Sequence, residues 1–161
     1  MTELLADLAK RFRFNEKLLA MASDGFSEAQ WAATPGDQGG NSSQWVLGHL
    51  VMCRRHILRR LGEEIPEEPW EKLFAPKTEP ADASTYPGAA VLIESFTQLG
   101  ERLGERLPAV TAEESAADWG SSFPDGSSTI SGGVGFMYFH ECYHLGQIGL
   151  ARRIHGMPGF V

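Results

Sequence analysis

The sequence predicts an all-α protein, a four-helix bundle whose helices are joined by long irregular connections. Three observations lead to this fold class. Apolar residues recur at helical spacing in four long segments of the chain, as they do on the buried faces of amphipathic helices. Eight of the nine prolines lie between or beyond these segments, and the ninth, Pro87, stands at the first position of one of them, so none interrupts a helix. No pair of strand-like runs joined by a turn occurs in the sequence.

The first long helix is predicted over residues 2–22, where apolar residues recur every three or four positions. It stops before Asp24 and Gly25, a combination that is typical of helix ends. A short turn of helix over 27–31 and a glycine-rich loop over 35–40 follow. The second long helix is expected to begin after this loop.

This second helix is predicted over 43–61, with a serine or asparagine at 41–43 as its cap. His49 lies on its apolar face. The other members of that face are Trp45, Val46, Leu50, Cys53, Ile57 and Leu61. The helix also holds the densest basic cluster of the chain, predicted to be a solvated face, which consists of Arg54, Arg55, Arg59 and Arg60.

A long crossover over 63–87 separates the second helix from the third. Its five prolines exclude a regular element. The crossover is predicted to be held against the bundle by three large apolar side chains, Trp70, Leu73 and Phe74. The third helix is then predicted over 87–107, with Pro87 in its first turn.

A second irregular connection over 108–129 leads to the last helix. Thr129 or Ser131 is predicted to cap this helix, which ends at Gly156. Close approach of another helix is predicted by three glycines near its start, Gly132, Gly133 and Gly135. Because loops carry most specificity in helical scaffolds, the two irregular connections are expected to select the substrate.

Length and composition fit a single domain over residues 1–161, with 42% hydrophobic and 22% charged residues. The net charge of −7 disfavours binding to a phosphate backbone. The N-terminal segment lacks the basic start of a signal peptide, and no segment has the length of a membrane span. Both cysteines lie in predicted helices beside histidines, which suits a reducing compartment. We therefore expect a cytoplasmic protein without a nucleic-acid or membrane partner.

Two histidines four residues apart, His140 and His144, lie in the last predicted helix. On a helix they share one face and can bind the same metal ion. With Glu141 they also spell H-E-x-x-H, the motif of zinc proteases. A protease needs a third ligand downstream, but residues 145–161 contain no Asp or Glu. The one later histidine lies about 16 Å further along the helix, which leaves the protease without its third ligand.

A third ligand is available in the second helix instead. His49 lies on its inner face, and facing helices of a bundle often build metal sites between them. Three imidazoles would leave an open position for water or substrate, as in catalytic metal centres. Cys53, four residues after His49, could close the site as a fourth ligand and make it structural. His56 lies about 10 Å along the helix from His49 and is expected to pack or lie at the surface.

Residues 41–50 (NSSQWVLGHL) and 140–148 (HECYHLGQI) together resemble the DinB-like superfamily of metal-binding four-helix bundles. The helix order and the long middle crossover are similar along nearly the whole chain. The resemblance implies one divalent metal ion, commonly zinc or nickel, held by His49, His140 and His144, and often a homodimer. It also implies a relation to thiol-dependent S-transferases and isomerases that use bacterial low-molecular-weight thiols, although many members have no assigned reaction.

Three functions are compatible with such a site. The first, which we favour, is a metal-dependent transferase that activates a small thiol for attack on an electrophile. The second is a metal-dependent hydrolase with Glu141 as base, although Glu141 could instead pair with an arginine or with solvent. The third is a non-enzymatic bundle that the metal only braces. Gln147 is expected to hydrogen-bond a ligand imidazole or the substrate, or else to be a buried amide satisfied by a neighbouring helix.

Overall fold

A computed structural model describes residues 2–36, 39–79 and 81–160 of the chain, and it confirms the all-α fold class. Residues 37–38 of the predicted loop and Pro80 of the crossover lie outside the described residues. The helices are α1 (Thr2–Ser23), α2 (Glu28–Ala32), α3 (Ser43–Arg60), α4 (Ala89–Arg106), α5 (Ala112–Ala116) and α6 (Ile130–Ile154). Short 3-10 turns span Glu71–Phe74, Ala83–Thr85 and Leu107–Ala109. In the described ranges, no helix combines the length and apolarity that crossing a membrane requires.

The four long helices form a ring in which α1 contacts α4 and α6, and α3 contacts the same two helices. Their apolar faces meet in one core, as the amphipathic pattern predicts. The largest fully buried apolar side chains of this core are Trp119, Phe12, Phe74, Phe96, Leu5, Leu19, Leu47 and Leu50. Because α3 and α6 are direct neighbours, side chains of the second and the last predicted helix can meet.

The starts of the helices follow the predicted caps with one exception. Ser42 caps α3 and Thr129 caps α6, each by accepting a backbone N–H from the first turn. Helix α4 begins at Ala89, so the prediction that Pro87 lies in its first turn is wrong. Gln44 on α3 donates a hydrogen bond to the Pro87 carbonyl oxygen at 3.0 Å. This contact holds Pro87 in the crossover.

The crossover between α3 and α4 lies against α3 and is held there by Phe74. The Phe74 side chain is fully buried, and its ring contacts those of Trp45 and Tyr86. Trp70 and Leu73 pack against the core while remaining partly accessible. The predicted anchoring of the crossover by these three side chains is therefore confirmed.

Gly48 makes room for the Phe74 ring, since a Cβ atom on Gly48 would lie 2.2 Å from it. We expect Gly48→Ala to lower the free energy of unfolding by about 1–3 kcal/mol because the ring would have to move. Gly146→Ala in α6 is the matched control, because nothing lies within 4 Å of a Cβ there. It should stabilise the protein by about 0.5–1 kcal/mol through helix propensity. Urea unfolding measures both changes, and changes of the same sign would contradict this packing.

The connection between α4 and α6 packs Trp119 against the start of α6. A Cβ on Gly133 would lie 2.3 Å from the Trp119 ring, and one on Gly132 would lie 2.7 Å from Ser127. Close approach at these two glycines is therefore present, but the neighbour is the connection and not another helix. At Gly135 nothing lies within 4 Å of a Cβ, so the prediction is wrong for this position.

Of the four arginines in the basic cluster of α3, Arg60 is exposed as the sequence predicts, but the other three do not form a solvated face. Arg54 is fully buried, and Arg55 and Arg59 form ion pairs with Glu71 of the crossover at 2.8 Å and 2.7 Å. The reason is that α3 contacts α4, α6 and the crossover together. Little of the surface of α3 is therefore exposed to solvent.

The ion pairs of Glu71 predict a pH dependence of stability. Burial raises the pKa of this carboxyl, but hydrogen bonds from Arg59, from the Glu68 N–H and from Arg55 outweigh burial and lower the pKa to about 2. This contribution to stability is therefore complete above the unfolded pKa of about 4.3 and is lost as the pH falls through 2. We expect Glu71→Gln to cost about 1–2 kcal/mol at pH 7. Urea unfolding at several pH values should find this difference shrinking towards pH 2, and a constant difference would contradict the ion-pair origin.

Candidate metal centre

Three histidines converge between α3 and α6. His49 comes from α3, and His140 and His144 lie one turn apart on α6. The Nε2 atom of His140 is 3.3 Å from Nε2 of His49 and 3.1 Å from Nε2 of His144. His49 is buried, whereas the other two are half-buried. The structure therefore brings the three predicted ligands together.

Two of the imidazoles are held by hydrogen bonds at Nδ1. The Phe74 carbonyl oxygen accepts from His49 at 2.8 Å, and the Gln147 Oε1 atom accepts from His144 at 2.7 Å. Because a carbonyl oxygen only accepts, Nδ1 carries the hydrogen and Nε2 keeps its lone pair. This arrangement is typical of metal-binding histidines. The Trp45 ring also stacks on His49, with ring centroids 5.1 Å apart.

His140 lacks such a support. Its Nδ1 atom is buried and has no hydrogen-bond partner among the described residues. Its Nε2 atom faces the other two imidazoles, so its position is fixed by the helix and by the cluster itself. A buried nitrogen without a partner costs free energy, which the cluster must offset.

Burial favours the neutral form of all three imidazoles. It lowers the pKa of His49 in spite of the hydrogen bond to Phe74, and it also lowers the pKa of His144. Burial, followed by repulsion from the charged forms of His144 and His49, lowers the pKa of His140 to about 4. Since only the neutral imidazole has a free lone pair, the cluster is in its ligand form at neutral pH.

The spacing of the nitrogens fits a metal ion. Tetrahedral coordination with metal–nitrogen distances of about 2.0–2.1 Å places the ligand nitrogens about 3.3–3.4 Å apart. The measured separations of 3.1 Å and 3.3 Å are close to this edge length. One ligand nitrogen from each of the three histidines lies within 4.8 Å of the other two. The group can therefore hold one divalent metal ion.

Cys53 does not complete the group as a fourth ligand. Its Sγ atom is 3.7 Å from Nε2 of His49. In the described part of the chain, however, the group whose ligand atoms all lie close to one another consists of the three histidines alone. Burial, and then the negative charge of Glu141, raises the pKa of the Cys53 thiol to about 12. A tetrahedral ion here would thus have one position for a small molecule.

The carboxylate of Glu141 is occupied by other partners. Arg54 binds both of its oxygens, through Nε and a terminal nitrogen, at 2.8 Å each. Asn15 donates to the same carboxylate at 3.0 Å, and all three side chains are buried. Glu141 therefore has the arginine pairing that the sequence left open as its alternative role. The fully buried Arg54 is the residue near the site that the sequence analysis missed.

Two other histidines lie outside the cluster. The His56 ring contacts Trp119 edge to face at 5.5 Å between centroids, which agrees with a packing role. The Nε2 atom of His155 is 3.2 Å from the Gln30 carbonyl oxygen, at the far end of α6. These two residues provide matched controls for substitutions of the clustered histidines.

A family model described as the DinB superfamily matches residues 11–148 of the chain. The match includes the three clustered histidines, all of α3 and α4, the part of α1 from residue 11 onwards, and α6 up to its last turn and a half. No curated protein has significant sequence similarity to the chain.

Proposed function

Because the chain belongs to the DinB superfamily, we propose that it is a metal-dependent transferase that activates a low-molecular-weight thiol at its three-histidine centre. The observation that carries this proposal is the group of three neutral imidazoles without a fourth protein ligand among the described residues. Catalytic metal sites keep such a position open, whereas structural sites are closed by four protein ligands. The DinB resemblance favours zinc or nickel as the ion, whereas imidazole nitrogens by themselves suit zinc, nickel, copper and iron alike.

A divalent ion held by His49, His140 and His144 would favour the thiolate form of a thiol that reaches it. The chain itself orients the ligand nitrogens, through the Phe74 carbonyl and Gln147. In the proposed reaction the thiol releases its proton to solvent, its sulfur forms a bond to an electrophilic carbon, and the leaving group departs into solvent as an anion with the electron pair of the broken carbon–leaving-group bond. Gln147 is a positioning residue in this scheme, because it acts through His144.

The two other functions have less support. A hydrolase with Glu141 as base needs a carboxylate that can reach a water molecule, but this carboxylate is buried and bound by Arg54 and Asn15. A bundle that is only braced by metal is favoured by full protein coordination, and Cys53 does not join the histidine group.

Thiol transfer can be measured with cysteine as the thiol and 1-chloro-2,4-dinitrobenzene as a chromogenic electrophile. We expect zinc-loaded or nickel-loaded protein to accelerate thioether formation, and chelation or His140→Ala to abolish the acceleration. His155→Ala, at the residue that caps the end of α6 and outside the cluster, should retain it. Equal rates for wild type and His140→Ala with several thiols and electrophiles would contradict transferase activity, while leaving metal binding to be measured separately.

We also propose that two copies of the chain associate through α6. Phe139 and Tyr143 are 63% and 59% exposed and lie one turn apart on this helix. Between residues 131 and 151 the only Asp, Glu, Lys or Arg is Glu141, which is buried. An exposed face that is apolar and uncharged is typical of interfaces, and the same face of a second copy matches it. Light scattering should give a dimer that Phe139→Glu converts to a monomer, and a monomeric wild type at all concentrations would contradict the proposal.

A further inference from the structure

The backbone of the crossover contacts two side chains of α3 through consecutive residues. The Leu73 carbonyl oxygen accepts a hydrogen bond from the indole N–H of Trp45 at 3.1 Å, and the Phe74 carbonyl oxygen accepts from Nδ1 of His49 at 2.8 Å. Both carbonyls belong to the 3-10 turn Glu71–Phe74. Because Trp45 and His49 are four residues apart, their side chains lie on the same face of α3. One short turn therefore contacts a proposed metal ligand and the ring beside it.

The Trp45 ring restricts the motion that the Phe74 carbonyl leaves to His49. A single hydrogen bond at Nδ1 fixes that edge of the imidazole but lets the ring tilt about the line between the two atoms, and histidine χ2 has a broad energy minimum. The indole lies over a face of the imidazole, with the two planes 7° apart and the ring centroids 5.1 Å apart. Tilting the imidazole would break this stack. The carbonyl and the stack together therefore set the direction of Nε2.

Both contacts leave the metal-facing edge of His49 free. The stack covers a face of the ring and the Phe74 carbonyl occupies Nδ1, while Nε2 lies 3.3 Å from Nε2 of His140. The indole of Trp45 is a donor only and cannot bind a metal ion itself. Trp45 can thus affect metal binding only by orienting His49.

The turn Glu71–Phe74 is itself fixed to α3. The Phe74 side chain is fully buried beside Gly48, where a Cβ atom would lie 2.2 Å from its ring. At the other end of the turn, Glu71 pairs with Arg55 and Arg59. Because the Phe74 ring and carbonyl belong to one residue, the position of the ring beside Gly48 determines where the carbonyl meets His49.

We propose that Trp45 is a positioning residue of the metal centre, and that the turn Glu71–Phe74 controls metal affinity by holding Trp45 and His49. The inference rests on the metal centre of the proposed function, but it is independent of the thiol chemistry. It makes the crossover part of the metal site, together with the two helices that carry the histidines. Residues that orient a metal ligand typically contribute about 10–100-fold to metal affinity.

Zinc affinities of Trp45 variants, measured by competition with a chromophoric chelator, test the stack. We expect Trp45→Leu to bind zinc about 10-fold more weakly than wild type, because His49 is then free to tilt. Trp45→Phe should recover most of the affinity, since a phenyl ring can still stack on the imidazole. A folded Trp45→Leu variant with wild-type affinity, or a Trp45→Phe variant no better than Trp45→Leu, would overturn the role of Trp45.

Trp31→Leu is the matched control, because Trp31 and Trp45 are both 6% exposed. Trp31 lies in α2, and its ring contacts that of Phe26. Its replacement should destabilise the protein to a similar extent in urea unfolding but leave the zinc affinity unchanged. Equal losses of zinc affinity in Trp31→Leu and Trp45→Leu would mean a general effect of core disruption and would overturn the inference.

Cobalt(II) in place of zinc provides a readout that a merely structural role of Trp45 would not change. The d–d absorption bands of cobalt(II) depend on how its ligands are arranged around it. Trp45→Leu should therefore shift these bands, while Trp31→Leu should give the wild-type spectrum. Identical spectra for wild type and Trp45→Leu at full cobalt loading would contradict an effect on the orientation of His49.

Gly48→Ala tests the Phe74 carbonyl independently, and it keeps the proposal testable if Trp45→Leu does not fold. The new Cβ would displace the Phe74 ring and, with it, the carbonyl that holds His49. We expect the zinc affinity to fall about 10-fold. Gly146→Ala, with nothing within 4 Å of its Cβ, should retain wild-type affinity. Unchanged affinity in Gly48→Ala would contradict control by the turn.

Zinc binding by wild type separates this inference from the proposed function. If wild type binds no zinc, both are contradicted. If wild type binds zinc and the Trp45 and Gly48 variants bind it equally well, only the inference is wrong. If these variants bind zinc more weakly but wild type transfers no thiol, the thiol chemistry is wrong and the inference is supported.

Discussion

Replacement of Arg54 by methionine is expected to lower the free energy of unfolding by about 3–5 kcal/mol, the usual cost of removing one partner from a buried ion pair. Arg54 is fully buried and donates to Glu141 from α6, to the Phe96 carbonyl from α4 and to the Phe12 carbonyl from α1. One side chain of α3 thus joins all three other long helices. Since domains of this size usually have a free energy of unfolding of about 5–15 kcal/mol, this variant would lose a large part of its stability.

The main cost comes from what Arg54 leaves behind. Without the guanidinium, the buried Glu141 carboxylate keeps only the hydrogen bond from Asn15, and an unpaired charge in the core is expensive. The double variant Arg54→Met/Glu141→Leu removes both charges of this pair and should recover much of the loss, while Glu16, 3.4 Å from Arg54 in the wild type, still loses its partner. Urea unfolding of the two single variants and the double variant measures this coupling. If the loss in free energy of unfolding of the double variant equals the sum of the losses of the two single variants, the ion pair is not the source of the Arg54 effect.

The same variants test the role of Glu141. If Glu141 only pairs with Arg54, the double variant should bind metal with nearly wild-type affinity once it is folded. A hydrolytic base, by contrast, would be indispensable for activity in any folded variant.

Replacement of His49 by alanine is expected to reduce zinc affinity by at least about 100-fold. Mutation of a residue that only hydrogen-bonds a metal ligand already reduces metal affinity by about 10–100-fold, and His49 is a proposed ligand itself. His49 is the one member of the cluster that α3 supplies, and without it the ion would have only the pair on α6. Competition with a chromophoric chelator measures the affinity of each variant.

His56→Ala is the control for this experiment, because His56 lies on the same helix but contacts Trp119 instead of the cluster. It should keep wild-type affinity even if its packing costs some stability. The zinc affinity of Gln147→Ala should lie between those of the His49→Ala and His56→Ala variants. We expect it to be about 10-fold lower than that of wild type, because Gln147 only orients His144. Equal affinities for the His49→Ala and His56→Ala variants would contradict the ligand assignment.

Much of the fold could be predicted because its signals are local. Hydrophobic periodicity and caps such as Ser42 and Thr129 depend on neighbouring residues, and they locate the long helices within a few positions. The histidine cluster could also be predicted, because four-residue spacing places His140 and His144 on one face of α6. The prediction of His49 as the third ligand needed only the further assumption that the apolar face of α3 points into the bundle.

What could not be predicted depends on partners that are distant in sequence. Arg54 was interpreted as solvated because its neighbours are basic, but its partner Glu141 lies 87 positions away. The support of His49 by the Phe74 carbonyl depends on the backbone path of the crossover, and its prolines only exclude a regular element. A local pattern cannot distinguish a buried arginine from an exposed one until the helices around it are placed.

The most direct measurement of the metal site is a crystal structure of the zinc-loaded protein, with anomalous data collected on both sides of the zinc absorption edge. We predict one strong anomalous peak per chain, within about 2.0–2.1 Å of the Nε2 atoms of His49, His140 and His144. Arg54 and Glu141 should remain paired and outside the coordination sphere. A peak elsewhere, or a fully loaded protein without a peak between these three nitrogens, would contradict the assignment of this cluster as the metal centre.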